Sequence, residues 1–129
     1  MSDAKEDLFK TYESYSSTLR TWLVSYGVGA PVLLISNEKI WDTLKTHPLS
    51  SVIAATFLGG VALQVLLASL NKYTMWFCYR GEEEPSFREK RFYRFSCWVA
   101  GQFWIDILCD MLSIVSFAYA TYLTVVCVK

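Results

Sequence analysis

A chain of 129 residues that is 53% hydrophobic and 16% aromatic, with a mean hydropathy of +0.28, has room for one domain. Twelve Lys and Arg balance twelve Asp and Glu, so no excess of positive charge recommends nucleic acid as a partner. The four cysteines form no C-x-x-C pair and the single histidine, His47, stands apart from them, which leaves no metal-ligand pattern and no implied cofactor.

The apolar residues gather in three long blocks, and nearly all the charge lies between them. This patterning predicts an all-α integral membrane protein in a single membrane domain, residues 1–129, with three transmembrane helices at 21–36, 51–71 and 97–128. Residues 1–20 are polar, lacking the basic start and early apolar core of a cleavable signal, so the first apolar block is expected to stay as a span. Within that lead-in, Leu8, Tyr12, Tyr15 and Leu19 recur at helical spacing and predict an amphipathic helix that runs into the first span.

The first span is short and interrupted. Gly27, Gly29 and Pro31 occupy its middle, and Pro31 has no N–H to offer the carbonyl of Gly27, which predicts a kink or break there. Small residues four apart, Ser25 with Gly29, Ala55 with Gly59 and Thr56 with Gly60, mark flat patches where helices can approach closely. A loop is expected over 37–50, with His47 at the boundary of the second span.

Three spans place the N-terminus and residues 72–96 on one side of the bilayer. That side carries Lys5, Lys10, Arg20, Lys72, Arg80, Arg88, Lys90, Arg91 and Arg94, against Lys39, Lys45 and Lys129 on the other. The bias predicts a cytoplasmic N-terminus in an inner (plasma) membrane, with residues 72–96 as a cytoplasmic helical hairpin extending the second and third helices. In GEEEPSFRE a breaker (Gly81), three acids and a proline precede Ser86 and Glu89, the spacing of a capping box, and from Phe87 onward only Gly101 interrupts the helical pattern. A last helix of more than ~40 residues, ~60 Å long, is the expectation. The hairpin is rich in aromatics, and Arg80, Arg88, Arg91 and Arg94 are its candidate docking residues for a cytosolic or membrane protein partner.

The functional question concentrates in GQFWIDILCDMLSIV, residues 101–115, where Gln102, Asp106 and Asp110 share one stripe of the third helix with Ser113 and Phe117. An ionised carboxylate facing hydrocarbon costs several kcal/mol, ~2.5–3.5 on insertion scales, so the stripe must face a helix or water. Gln64, midway along the second span, is the other buried polar group and is expected to point toward it. Three arrangements fit: acidic rings from several copies around a cation path, hydrogen-bonded glue between helices, or an ion pair with Arg20, Arg94 or a basic residue of another protein. The absence of a nucleophile with a base, of a phosphate loop and of any histidine near the carboxylates argues against an enzyme.

Because a three-span chain has few faces on which to hide such a stripe, the first functional expectation is a homo-oligomer. Its acidic central vestibule would be lined by Gln102, Asp106, Asp110, Gln64 and Ser113, making it an ion-conducting, channel-like or membrane-perturbing effector of a bacterial inner membrane. The alternative is a non-conducting anchor or accessory subunit for a cytosolic or membrane partner. Small bacterial membrane proteins of this build also act in phage defence, an analogy of class alone.

Overall fold

The computed structural model describes residues 2–129, and among these the chain is all helical. Helix α1 spans Ser2–Ser36, α2 Glu38–Thr46, α3 Ser50–Glu83, α4 Arg91–Ala100 and α5 Phe103–Val128, with a 3₁₀ turn at Pro85–Glu89. Helices α1, α3 and α5 are each long and apolar enough to cross a membrane. Their outward faces suit lipid: Trp22, Leu33, Leu58, Leu66 and Val115 are all more than 60% exposed.

The three long helices pack side by side, α3 against α5 most extensively. Phe57 and Phe117 lie 6.2 Å apart at the centre of the bundle, with Tyr26 at 5.9 Å from Phe117, and Leu23, Ile53, Ala120 and Leu123 continue the core. Glycines make this contact possible. A Cβ on Gly27 would collide with Val61 and Phe117, and one on Gly60 would lie 2.6 Å from the Phe117 ring. Ala55, Gly59 and Ser25 of the expected packing set are instead exposed, and a Cβ added at Gly59 would enter open space. Gly60→Ala should therefore destabilise the fold by about 1–3 kcal/mol. Gly59→Ala should be neutral or slightly stabilising, because it gains helix propensity in open space. Thermal unfolding of the two variants side by side separates these outcomes.

The expected break in the first span does not occur. Helix α1 runs through Gly27, Gly29 and Pro31 as one 35-residue element. Gly27 is required for close packing, and the helix continues past Pro31 to its end about one and a half turns later. Of the apolar set expected in the lead-in, Leu8, Tyr15 and Leu19 are exposed while Tyr12 meets Phe103 of α5 at 5.6 Å, and Phe9, outside that set, meets the same ring at 6.1 Å.

The expected 37–50 loop contains a helix. Asn37 caps α2 by accepting the Ile40 N–H at 3.2 Å, and α2 folds back so that Leu44 enters the core. His47 does sit at the start of α3: its carbonyl accepts the Ser50 N–H and its Nδ1 accepts the Leu49 N–H at 3.2 Å.

Helix α3 continues past the apolar block to Glu83 and forms one arm of the hairpin, running straight through Gly81. The chain turns at Glu84, whose position before Pro85 disfavours helix. Ser86 and Glu89 form no capping box; they belong to the 3₁₀ turn that buries Phe87, and α4 starts after Lys90 with no side-chain cap. The single last helix expected over 97–128 and beyond is two helices. At Gly101 the N–H bonds the Cys97 carbonyl, and Gln102 leaves helical geometry at φ −100°, ψ 72° before α5 begins. Glycine weakens a helix by about 1 kcal/mol relative to alanine, so the break falls where the sequence is least committed.

Candidate functional site

Asp106 opens the first full turn of α5, and two turns of helix separate Gln64 from Asn71 on α3, so both α3 amides share the face that meets α5. Arg20, on α1, reaches the same point from the third side. Its Nη2 donates to Asp106 Oδ2 at 2.9 Å, and Asn71 Nδ2 donates to Asp106 Oδ1 at 3.1 Å, so each carboxylate oxygen has a donor. The Arg20 and Asp106 side chains are only 19% and 18% exposed. A charged pair sheltered to this degree is screened far less than a surface one.

One turn deeper, Asp110 meets a different partner. Gln64 Nε2 donates to Asp110 Oδ1 at 3.0 Å and to Ser113 Oγ at 2.9 Å, using both amide hydrogens. Ser113 in turn donates to the Cys109 carbonyl at 3.0 Å. Gln64 and Ser113 are among the most buried side chains of the protein, at 1% and 0% exposure. Gln64 Oε1 and Arg20 Nε are buried polar atoms without a hydrogen-bond partner among the described residues. Farther along, Ser116 donates to the Thr56 carbonyl at 2.9 Å, and the Phe57–Phe117–Tyr26 cluster closes the interior.

The polar interior thus forms two tiers, Arg20–Asp106–Asn71 and Gln64–Asp110–Ser113, ending on an aromatic floor. The outer tier borders a crevice of about 350 Å³ whose polar lining includes Glu13, Arg20, Asn71, Lys72, Gln102 and Asp106. Gln102 lines this crevice and accepts a hydrogen bond from Trp104 Nε1, without reaching Asp110. The structure therefore brings Gln64, Asp110 and Ser113 together, sets Asp106 apart with Arg20, and leaves Gln102 at the mouth. Of the three arrangements open to the stripe, the ion pair holds for Asp106, through Arg20 rather than Arg94. Hydrogen-bonded glue describes Asp110. Asn71 is absent from the residues expected of the stripe, although its seven-residue spacing from Gln64 marks it as a member of the same face.

Among the four arginines of the hairpin, two are spent on the hairpin itself. Arg88 Nε donates to the Gly81 carbonyl at 2.7 Å, and Arg80 lies over the Trp76 and Phe87 rings at 5.4 and 5.5 Å. Arg91 and Arg94 are exposed and form no ion pair among the described residues. Phe92, Phe95 and Trp98 stand exposed beside them on α4. Among the described residues no three His, Cys, Asp or Glu side chains gather closely enough to hold a metal ion. No family model, curated protein or solved structure matches the chain, and the geometry of the polar interior is the guide to its role.

Proposed function

We propose that the protein is a multi-pass membrane protein of a bacterial inner membrane, N-terminus and helical head in the cytoplasm, that works as a non-conducting anchor or accessory subunit docking a protein partner. One observation carries the choice: both acids of the third span are satisfied inside a single chain, Asp106 by Arg20 and Asn71 and Asp110 by Gln64. With Asp106 paired to Arg20 and Asp110 held by the Gln64 amide, the stripe has partners without a second copy, and half of its acidic charge is already compensated. Beyond the Gln64–Asp110–Ser113 tier the packed Phe57 and Phe117 rings occupy the middle of the bundle. The basic bias of the head side supports the orientation. Arg91, Arg94 and the exposed α4 aromatics give the head a surface of the composition that protein interfaces favour.

The oligomeric effector keeps one observation in its favour, the open groove on α3 lined by Ser51, Ala55 and Gly59, where a neighbouring helix could pack closely. A single experiment divides the two readings. The full chain is reconstituted into liposomes, its mass in detergent is measured, and cation flux is recorded for the native protein and for Asp106→Asn/Asp110→Asn. The anchor reading expects flux equal to that of empty liposomes in both, and in cells a proximity-labelled partner that is lost on Arg91→Glu/Arg94→Glu. A discrete oligomer whose flux disappears with the aspartates would overturn it.

A further inference from the structure

Cys78 on α3 and Cys97 on α4 are brought together by the hairpin until their sulfurs stand 3.2 Å apart. Neither is in a disulfide, and both are half-buried, so a small oxidant can reach them. The register that pairs them is fixed on several sides. Phe77 stacks on Phe87 and Phe92 at 5.9 and 6.4 Å, Arg88 ties the 3₁₀ turn to the Gly81 carbonyl, and the Tyr93 ring lies so close over Gly81 that no Cβ would fit. The Cys97 sulfur beside the Tyr93 hydroxyl also raises the phenol above its ordinary pKa. The remaining cysteines are not so arranged: Cys127 meets His47 Nδ1 at 3.4 Å, and Cys109 lies beside the two aspartates.

We infer that Cys78 and Cys97 form a reversible redox site, at which a peroxide converts the dithiol into a disulfide that staples α3 to α4. The chemistry balances with hydrogen peroxide as the oxidant. The Cys97 sulfur attacks one peroxide oxygen; the O–O bond breaks, and the thiol proton leaves with the departing hydroxyl, giving a sulfenic acid and one water. The Cys78 sulfur then displaces the hydroxyl, which departs with the thiol proton as a second water, and the S–S bond forms. Two thiols and one peroxide give one disulfide and two waters. Sulfurs already in contact need to close by only about 1 Å to reach bonding distance, which side-chain rotation supplies. The site does not depend on which side of a bilayer the head faces, nor on whether the protein conducts. Its effect falls on the head: α4, with exposed Arg91, Arg94 and their aromatic neighbours, becomes covalently fixed to α3.

The test uses the full chain in detergent micelles, exposed to hydrogen peroxide and then to a phosphine reductant. Intact mass should fall by two hydrogens, alkylatable thiols should drop from four to two, and peptide mapping of the native protein should find Cys78 joined to Cys97. Tryptic cleavage at Arg88 and Arg91 should slow on the order of tenfold in the oxidised protein and recover on reduction. The mass change should persist in Cys109→Ser/Cys127→Ser and vanish in Cys78→Ser and in Cys97→Ser. Oxygen addition to either cysteine without loss of hydrogens, or a cross-link between two chains in place of one within the chain, would overturn the inference. Because the mapping is done on the native protein, misfolding of a variant does not blunt the test.

Discussion

Replacing Gln64 with leucine is expected to lower the stability of the protein by about 3 kcal/mol, the penalty for stripping a buried carboxylate of its hydrogen-bond donor. Asp110 is 6% exposed, and Gln64 is the one side chain that donates to it among the described residues. Leucine matches the volume of glutamine closely enough that packing against α5 should survive, so the loss isolates the polar contribution. In a protein of this size the unfolding midpoint should fall by on the order of 10 °C. The double substitution Gln64→Leu/Asp110→Leu should restore most of the loss, because removing both partners leaves nothing buried and unpaired. Helix content followed by circular dichroism during heating in a mild detergent measures the native chain and both variants. If the single variant is as stable as the native chain, Asp110 does not depend on Gln64, and the two-tier interior loses its lower tier.

The size of that effect also discriminates between functions. Neutral hydrogen bonds between membrane helices contribute little, about 0.6 kcal/mol on average, because a separated helix finds other partners. A value several times larger at Gln64 would mark the carboxylate as a structural charge held by the fold. A pore-lining acid would behave in the opposite way, changing conduction while leaving the midpoint nearly untouched.

Much of the architecture is legible in the residues because hydrophobic blocks separated by charge leave few alternatives. The block at 51–71 lies within α3 and most of the block at 97–128 within α5, its first residues belonging to α4, and the hairpin between them comes from the aromatic arms that flank Pro85. Helix α2 is hidden because its apolar residues, Ile40, Trp41 and Leu44, fill barely one turn and only become informative once Leu44 has a core to enter. Gly81 and Gly27 have the look of breakers and are not: each is needed where a ring, Tyr93 or Phe117, presses on the backbone. Gly101, by contrast a lone interruption in a long helical pattern, is where α4 stops.

For the site, periodicity identifies the stripe but not its destination. Spacing of four states that Asp106 and Asp110 lie on one face of α5, yet it carries no information about the rotation of α1 and α3 around that face. The rotation decides that Asp106 meets Arg20 and Asp110 meets Gln64, one turn apart and on different helices. Within one chain, α1 and α3 already bring a hydrogen-bond donor to each acid.

Arg20→Met, in contrast, tests the outer tier, and its expected loss is about 2 kcal/mol, smaller than at Gln64 for a reason the geometry supplies. Asp106 keeps Asn71 as a donor, and the adjoining crevice of about 350 Å³ admits water to the bereaved carboxylate. Arg20→Lys should recover at least half of the loss, since only one guanidinium nitrogen, Nη2, reaches the carboxylate and the buried Nε has no partner to forfeit. Arg20→Met/Asp106→Leu should come closer to the native midpoint than Arg20→Met alone, giving a coupling energy of about 1–3 kcal/mol in a double-mutant cycle. Raising the ionic strength should change this coupling little, as befits charges less than one-fifth exposed. The cycle must be run at a detergent-to-protein ratio that keeps the chain monomeric. A coupling that vanishes under those conditions and appears only in an associated form would move the partner of Asp106 from Arg20 of the same chain to a neighbouring copy, and the acidic vestibule would return as the better account of the protein.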